Sequence, residues 1–254
     1  MSFALQGIPR VTYQVIYGIL GTIKMNSMKI FLDTADTEVI KKHFATGLID
    51  GVTTNPTLIY KSGRHPYDVY RELADIGITD ISMEVVGDEE QMYHEAMLLH
   101  AEFKEVCTVK LPCTAEGLNV CRRLSEIGIR TNVTLIFSAA QAILAAKAGA
   151  TYVSPFVGRC DDNSVAGVEV IRSISGVYCA QGVKTQILSA SIRDVYKVTR
   201  SFYNGAHIVT MPPKIFEKMY NHVLTDAGLA QFDKDWSAVQ KTIDDSLGYD
   251  TYSK

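Results

Sequence analysis

The sequence predicts an α/β protein formed as a single (β/α)8 TIM barrel with a C-terminal helix, and three observations predict it. First, a helical stretch, a glycine and a short β-rich run recur along the chain from Met28 onward. Second, eight such runs fall within roughly 220 residues, the size of one closed barrel of right-handed βαβ units. Third, the runs end in polar residues, where a barrel carries its chemistry. A doubly wound open sheet is the competing architecture. The first run ends in Leu32-Asp33-Thr34 with no G-x-G-x-x-G turn after it, which disfavours that alternative.

Residues 1–27 stand outside this rhythm. They hold the apolar run 11–20, yet they lack a basic cluster and a small-x-small cleavage site, so they read as a dispensable N-terminal extension. The barrel domain is then 28–254, with Met28 as its functional start and the opening strand at 29–34. Gly47 precedes strand 51–55, and Gly77 precedes strand 81–86. A helix over 89–105 leads to the fourth strand, 107–112. Gly128 introduces strand 130–136, a helix follows at 139–148, and Gly149 introduces strand 151–157. Gly182 and Gly205 introduce the last two strands, 185–191 and 207–212. Within 226–246, Leu229, Phe232, Trp236 and Val239 are spaced as one helical face, which packs either on its own barrel or on another subunit.

Bulk composition narrows the function classes. A 254-residue chain with 47% hydrophobic residues can bury a large core. A net charge of -3 gives no electrostatic reason to expect nucleic acid or an anionic membrane as partner, so small-molecule substrates are expected. The five cysteines are odd in number and lack C-x-x-C pairing, which argues against a disulfide framework or zinc site and for a reducing, cytoplasmic setting. The six histidines are dispersed, with no H-x-H or H-E-x-x-H spacing. Neither a metal nor another cofactor is expected. No apolar run reaches the roughly 18 residues of a transmembrane helix.

The most informative residue is Lys110, alone in the apolar run Val106-Cys107-Thr108-Val109-Lys110-Leu111-Pro112. A lysine there is either paired with a carboxylate for structural reasons or desolvated into a carbonyl-attacking amine, the start of Schiff-base chemistry. The other strand ends decide between these. Thr53 and Asn55 share a parity, as do Asn132 with Thr134, Ser154 with Phe156, and Ser189 with Ser191 and Arg193; Asp33 and Glu84 also lie at strand ends. Any one is an ordinary loop residue, whereas together they mark a site at one barrel mouth.

These motifs resemble the transaldolase family, in particular the small transaldolases and fructose 6-phosphate aldolases. The resemblance runs from Met28 to about Trp236 on Phe31-Leu32-Asp33-Thr34-Ala35, Gly51-Val52-Thr53-Thr54-Asn55-Pro56-Thr57, Val109-Lys110-Leu111-Pro112 and Thr114-Ala115-Glu116-Gly117. It continues through Asn132-Val133-Thr134-Leu135, Ser154-Pro155-Phe156-Val157-Gly158-Arg159 and Ser189-Ala190-Ser191-Ile192-Arg193. It implies that Lys110 forms a Schiff base with the C2 carbonyl of a ketose phosphate and that Asp33 is the acid/base for C3–C4 cleavage. Glu84 and Thr134 match residues that hold a proton-shuttling water. Asn55 and Asn132 would hold the dihydroxyacetone hydroxyls, supported by Thr53 and Ser154, and Arg159, Ser191 and Arg193 match the phosphate site.

Phe156 and Glu84 stand where the aldolase branch carries tyrosine and glutamine, so the resemblance implies transfer to an acceptor rather than release of dihydroxyacetone. The implied donors are sedoheptulose 7-phosphate or fructose 6-phosphate, and the acceptors glyceraldehyde 3-phosphate or erythrose 4-phosphate, the chemistry of the pentose phosphate pathway. The alternatives are an aldolase releasing dihydroxyacetone and a non-catalytic phosphosugar-binding barrel. The resemblance also implies a ring-like homo-oligomer such as a decamer. Ile192 departs from the pattern, which commonly has an aromatic residue there.

Overall fold

The computed structural model describes residues 28–247, with side chains described to residue 244. The expected 1–27 extension lies outside the described residues. Eight parallel strands close into a barrel in strictly sequential order. They are β1 (Lys29–Asp33), β2 (Gly51–Thr53), β3 (Ile81–Glu84), β4 (Cys107–Pro112), β5 (Thr131–Ile136), β6 (Tyr152–Pro155), β7 (Gln186–Ser189) and β8 (Ile208–Met211). Every strand the sequence predicts is present, and β8 pairs back onto β1 through Phe31 with Thr210 and Leu32 with Met211.

Several strands stop short of their expected ends, and in β2 this is because the terminal polar residue starts the next helix. Asn55 caps the helix Pro56–Ser62, and its side chain accepts from Leu58 N–H at 3.0 Å. Asp36, Asp88, Thr114, Ser138 and Asp194 cap other helices in the same way. Val157 already belongs to the short helix Val157–Asp162. The helix expected over 89–105 ends at Phe103, where Lys104, at φ 48°, turns the chain into a short 3-10 segment.

Strand alternation divides the apolar residues into two layers. Leu32, Val52, Met83, Val109, Leu111, Val133, Val153 and Val209 face the surrounding helices and are wholly buried. Phe31, Tyr152, Leu188 and Ile208 fill the barrel interior. Phe31 fits there because Gly51 has no side chain: a Cβ at Gly51 would lie 2.6 Å from the Phe31 ring. Below this plug, Asp80 accepts from Thr108 Oγ1 at 2.8 Å, Arg130 Nη1 at 2.9 Å and Tyr152 OH at 2.7 Å. The interior is therefore closed from below, and its open end is the mouth formed by the carboxyl ends of the strands.

The C-terminal helix spans Val223–Leu247. Its apolar face is not buried on its own barrel: Leu229, Phe232, Trp236 and Val239 are 55%, 70%, 59% and 45% exposed. Among the described residues, no helix is long and apolar enough to cross a membrane.

Candidate active site

Direct register partners on neighbouring strands place the central side chains side by side. Lys110 on β4 lies opposite Glu84 on β3 and Asn132 on β5. Its side chain points into the barrel and is almost wholly buried. The ammonium donates to Glu84 Oε2 at 2.8 Å and to the Thr54 carbonyl at 3.0 Å. The lysine is thus paired with a carboxylate, and it stands at the mouth of the barrel.

Asp33 ends β1 and accepts from Thr53 Oγ1 at 2.8 Å. Thr53 in turn meets Thr210 of β8 at 2.7 Å. Burial raises the Asp33 pKa above the ordinary carboxylate value; Lys110 and the Thr53 hydroxyl pull it down, and Glu84 adds to the rise. Desolvation wins because the nearest cation already serves Glu84. Asp33 is thus the mouth carboxylate more readily protonated than an ordinary aspartate.

A cavity of about 110 Å³ opens above Lys110. Asp33, Thr53, Asn55, Lys110, Ser154, Phe156, Arg159 and Ser191 all line it, together with Ala190 and Thr210. Asn132 lies deeper, donating to Ser82 Oγ at 3.1 Å and accepting from Ser154 Oγ at 2.6 Å. Thr134 Oγ1 is buried and has no hydrogen-bond partner among the described residues. Phe156 presents its ring to Arg159, whose guanidinium carbon lies 5.0 Å from the ring centroid.

Two expectations change. Ser189 shares Ser191's parity in sequence, yet Ser189 faces outward and its hydroxyl meets Ser201 of the covering helix at 2.8 Å. Ser191 reaches the mouth because its backbone turns into the left-handed region, φ 59°, which ends the simple alternation. Arg193 does not line the cavity. Both its guanidinium amino groups are held by the Asp162 carboxylate, and its Nε runs over Gly158, where a Cβ would come within 2.8 Å.

Three contributors escaped the sequence reading: Thr210, Ser82 and the Thr54 carbonyl. Thr210 has a signal, being the polar residue within the otherwise apolar strand Ile208–Met211. Ser82 shares the parity of Glu84 and was equally legible. A wider cleft of about 450 Å³ lies beside the mouth, between Thr34, Leu58, Lys61 and Arg64. Its arginine is engaged with Glu72 at 2.7 Å and with Thr37 at 3.1 Å, whereas the smaller cavity is the one that Lys110 lines.

Residues 30–244 match the family described as transaldolase/fructose-6-phosphate aldolase. A "Probable transaldolase" of Caulobacter vibrioides (strain NA1000 / CB15N) is 48% identical over 217 residues, 85% of this chain and 100% of that protein. A "Probable transaldolase" of Methanococcus vannielii is 49% identical over 212 residues, 83% of this chain and 98% of the relative. A third, from Erythrobacter litoralis (strain HTCC2594), is 50% identical over 219 residues, 85% of this chain and 100% of its own.

Proposed function

Because the chain belongs to the transaldolase/fructose-6-phosphate aldolase family, we propose that it is a transaldolase acting through a Schiff base on Lys110. It moves a dihydroxyacetone unit from sedoheptulose 7-phosphate or fructose 6-phosphate to glyceraldehyde 3-phosphate or erythrose 4-phosphate, without metal or other cofactor. The observation that carries this reading is a buried lysine that faces a cavity and has two carboxylates near it: Glu84, bonded to the amine, and Asp33, in the cavity wall and held by a hydroxyl.

Lys110 passes a proton to Glu84, and the amine attacks the C2 carbonyl of the donor. Loss of water from the carbinolamine leaves an iminium, with Glu84 and a water on the Thr134 hydroxyl exchanging the protons. Asp33 takes the proton from the C4 hydroxyl. The C3–C4 bond breaks, its electrons pass into the iminium to give an enamine, and the aldose phosphate leaves. The acceptor aldehyde then takes the enamine carbon, Asp33 returns a proton to the new alkoxide, and water releases Lys110. A carboxylate that gives and takes a proton in turn works best with a pKa nearer the working pH, the direction in which burial moves Asp33. Asn55, Asn132, Thr53 and Ser154 hold the hydroxyls of the three-carbon unit. Arg159 and Ser191 receive the phosphate, and Arg193 joins them on leaving Asp162.

Phe156 supports transfer over release, since a phenyl ring at the cavity wall has no proton to give the enamine. The test follows glyceraldehyde 3-phosphate from fructose 6-phosphate, without and then with erythrose 4-phosphate. One turnover per site that becomes continuous with acceptor establishes a transaldolase; continuous release without acceptor establishes an aldolase. Borohydride should trap substrate on the wild type and not on Lys110→Ala. The exposed apolar face of Val223–Leu247 supports a further part of this reading, a homo-oligomer in which that helix packs on a second copy.

A further inference from the structure

We propose that Phe137 is a positioning residue for phosphate recognition: its ring fixes Phe156, and through Phe156 the guanidinium of Arg159. The proposal rests on the function above for its substrate, but its structural basis is independent of that function.

The strand pairing shows how Phe137 comes to be there. β5 keeps regular register with β4 as far as Thr134, opposite Pro112. Toward β6 the register advances from Val133 opposite Val153 to Ile136 opposite Pro155, three residues on one strand against two on the other. The extra residue is accommodated around Leu135, whose φ is 59°. A branched apolar side chain has no preference for left-handed backbone, and such a residue persists only where its surroundings over-determine it.

The bulge holds the chain back by one position, so Phe137, and not Ile136, comes level with Phe156. The Phe156 N–H donates to the Ile136 carbonyl at 3.0 Å, which locks the two segments together. The Phe137 N–H donates to Gln141 Oε1 at 2.8 Å, so the start of the following helix fixes the backbone that carries the ring. The two rings then meet edge to face, 5.9 Å between centroids and 62° between planes. Phe156 is tied on its other side by a bridge to Ala190.

Phe137 is 38% exposed and does not line the cavity, so its contribution to the core is partial. What it does contact is the ring on which Arg159 rests. A long arginine side chain loses rotational freedom when it binds a phosphate, and a fixed aromatic platform removes part of that loss beforehand. Phe137 acts on binding of the charged end of the substrate and leaves the reacting carbons to Lys110 and Asp33.

The experiment compares wild type, Phe137→Leu and Phe137→Tyr, all full-length, with fructose 6-phosphate and with unphosphorylated fructose as donors, each with erythrose 4-phosphate as acceptor at saturating concentration. Calorimetric titration with inorganic phosphate is run in parallel. In Phe137→Leu, KM for fructose 6-phosphate should rise about threefold to tenfold, the range of an aromatic pair contact. Its kcat and its KM for fructose should stay within about twofold of wild type. The inorganic phosphate affinity should fall by the same factor as the KM rises, and Phe137→Tyr, which keeps the ring, should restore both. Equal KM changes for both donors, a fall in kcat alone, or unchanged phosphate affinity would overturn the proposal. A wild type that binds phosphate but turns over neither donor would refute the function above, while the phosphate titrations still decide the role of Phe137. A wild type that binds no phosphate would overturn the proposal outright.

Discussion

Lys110 and Glu84 are direct register partners on adjacent strands, and their charged ends meet at 2.8 Å inside the barrel mouth. In the proposed mechanism the carboxylate is therefore the nearest base for the proton that the amine loses before it attacks a carbonyl. Glu84→Gln should lower the single-turnover rate of Schiff-base formation about a hundredfold, the lower end of general acid–base contributions. The final yield trapped by borohydride should be unchanged. Imine formation at the wild-type rate would remove Glu84 from that step.

Asp33 gives a pH signature. Its pKa is raised, mainly by burial, so the acid limb of kcat/KM should lie above the ordinary aspartate value of about 3.9. The linkage to stability has a definite sign. A carboxyl whose pKa is higher folded than unfolded binds its proton more tightly in the native state, so the native state is penalised as pH rises from the unfolded value through the folded one. Asp33→Asn keeps an acceptor for Thr53 and removes that penalty. It should be inactive yet melt at a higher temperature than wild type at pH 7, with the difference vanishing at pH 3. A lower melting temperature at pH 7 would contradict the desolvation argument.

Arg193 is restrained by Asp162. If that guanidinium completes the phosphate site, Asp162→Asn should release it and lower KM for fructose 6-phosphate about threefold, a change in scale with one partly exposed ion pair. The KM for unphosphorylated fructose should not move. A raised KM for the phosphorylated donor would instead mean that Asp162 aims Arg193 productively.

The barrel floor carries stability apart from chemistry. Asp80 satisfies Thr108, Arg130 and Tyr152 together, and its side chain is 8% exposed. Asp80→Ala leaves three donors facing one small residue, and it should cost about 3 kcal/mol in denaturant unfolding, the lower end for a broken buried pair because Arg130 reaches solvent. Below the transition, kcat should match wild type; a selective loss of kcat would show that the floor communicates with the mouth.

The C-terminal helix should govern assembly. A double substitution, Phe232→Glu with Trp236→Glu, places charge on the two most exposed rings of its face. Light scattering should show a large wild-type particle and a smaller variant one. A monomeric wild type would refute the oligomer.

Much of this was legible in the residues because two periodicities coincide. Recurrent glycines mark six of the eight strands, apolar runs mark the other two, and polar strand ends mark the mouth, so Asp33, Glu84 and Lys110 could be named together from sequence. The limits are equally physical. Ser189 obeys the alternation but faces a hydroxyl on the covering helix. Arg193 depends on a rotamer that Asp162 decides. The bulge at Leu135 left no trace, because leucine is not a residue that advertises left-handed backbone, so the neighbouring Phe137 looked like any residue between a strand and a helix.

Asn55 divides its amide between two tasks. The carbonyl oxygen holds the first turn of Pro56–Ser62, while the same residue borders the cavity beside Asp33. The end left for a ligand is the NH2 group, which offers protons and takes none. Asn55 can therefore recognise a hydroxyl through its oxygen lone pairs, leaving the hydroxyl's own hydrogen for a carboxylate to claim. Exchange for aspartate would preserve the helix start yet turn that side of the cavity from a giver of protons into a competitor for them. The polarity of one amide thus tells the cavity wall which end of an alcohol to greet.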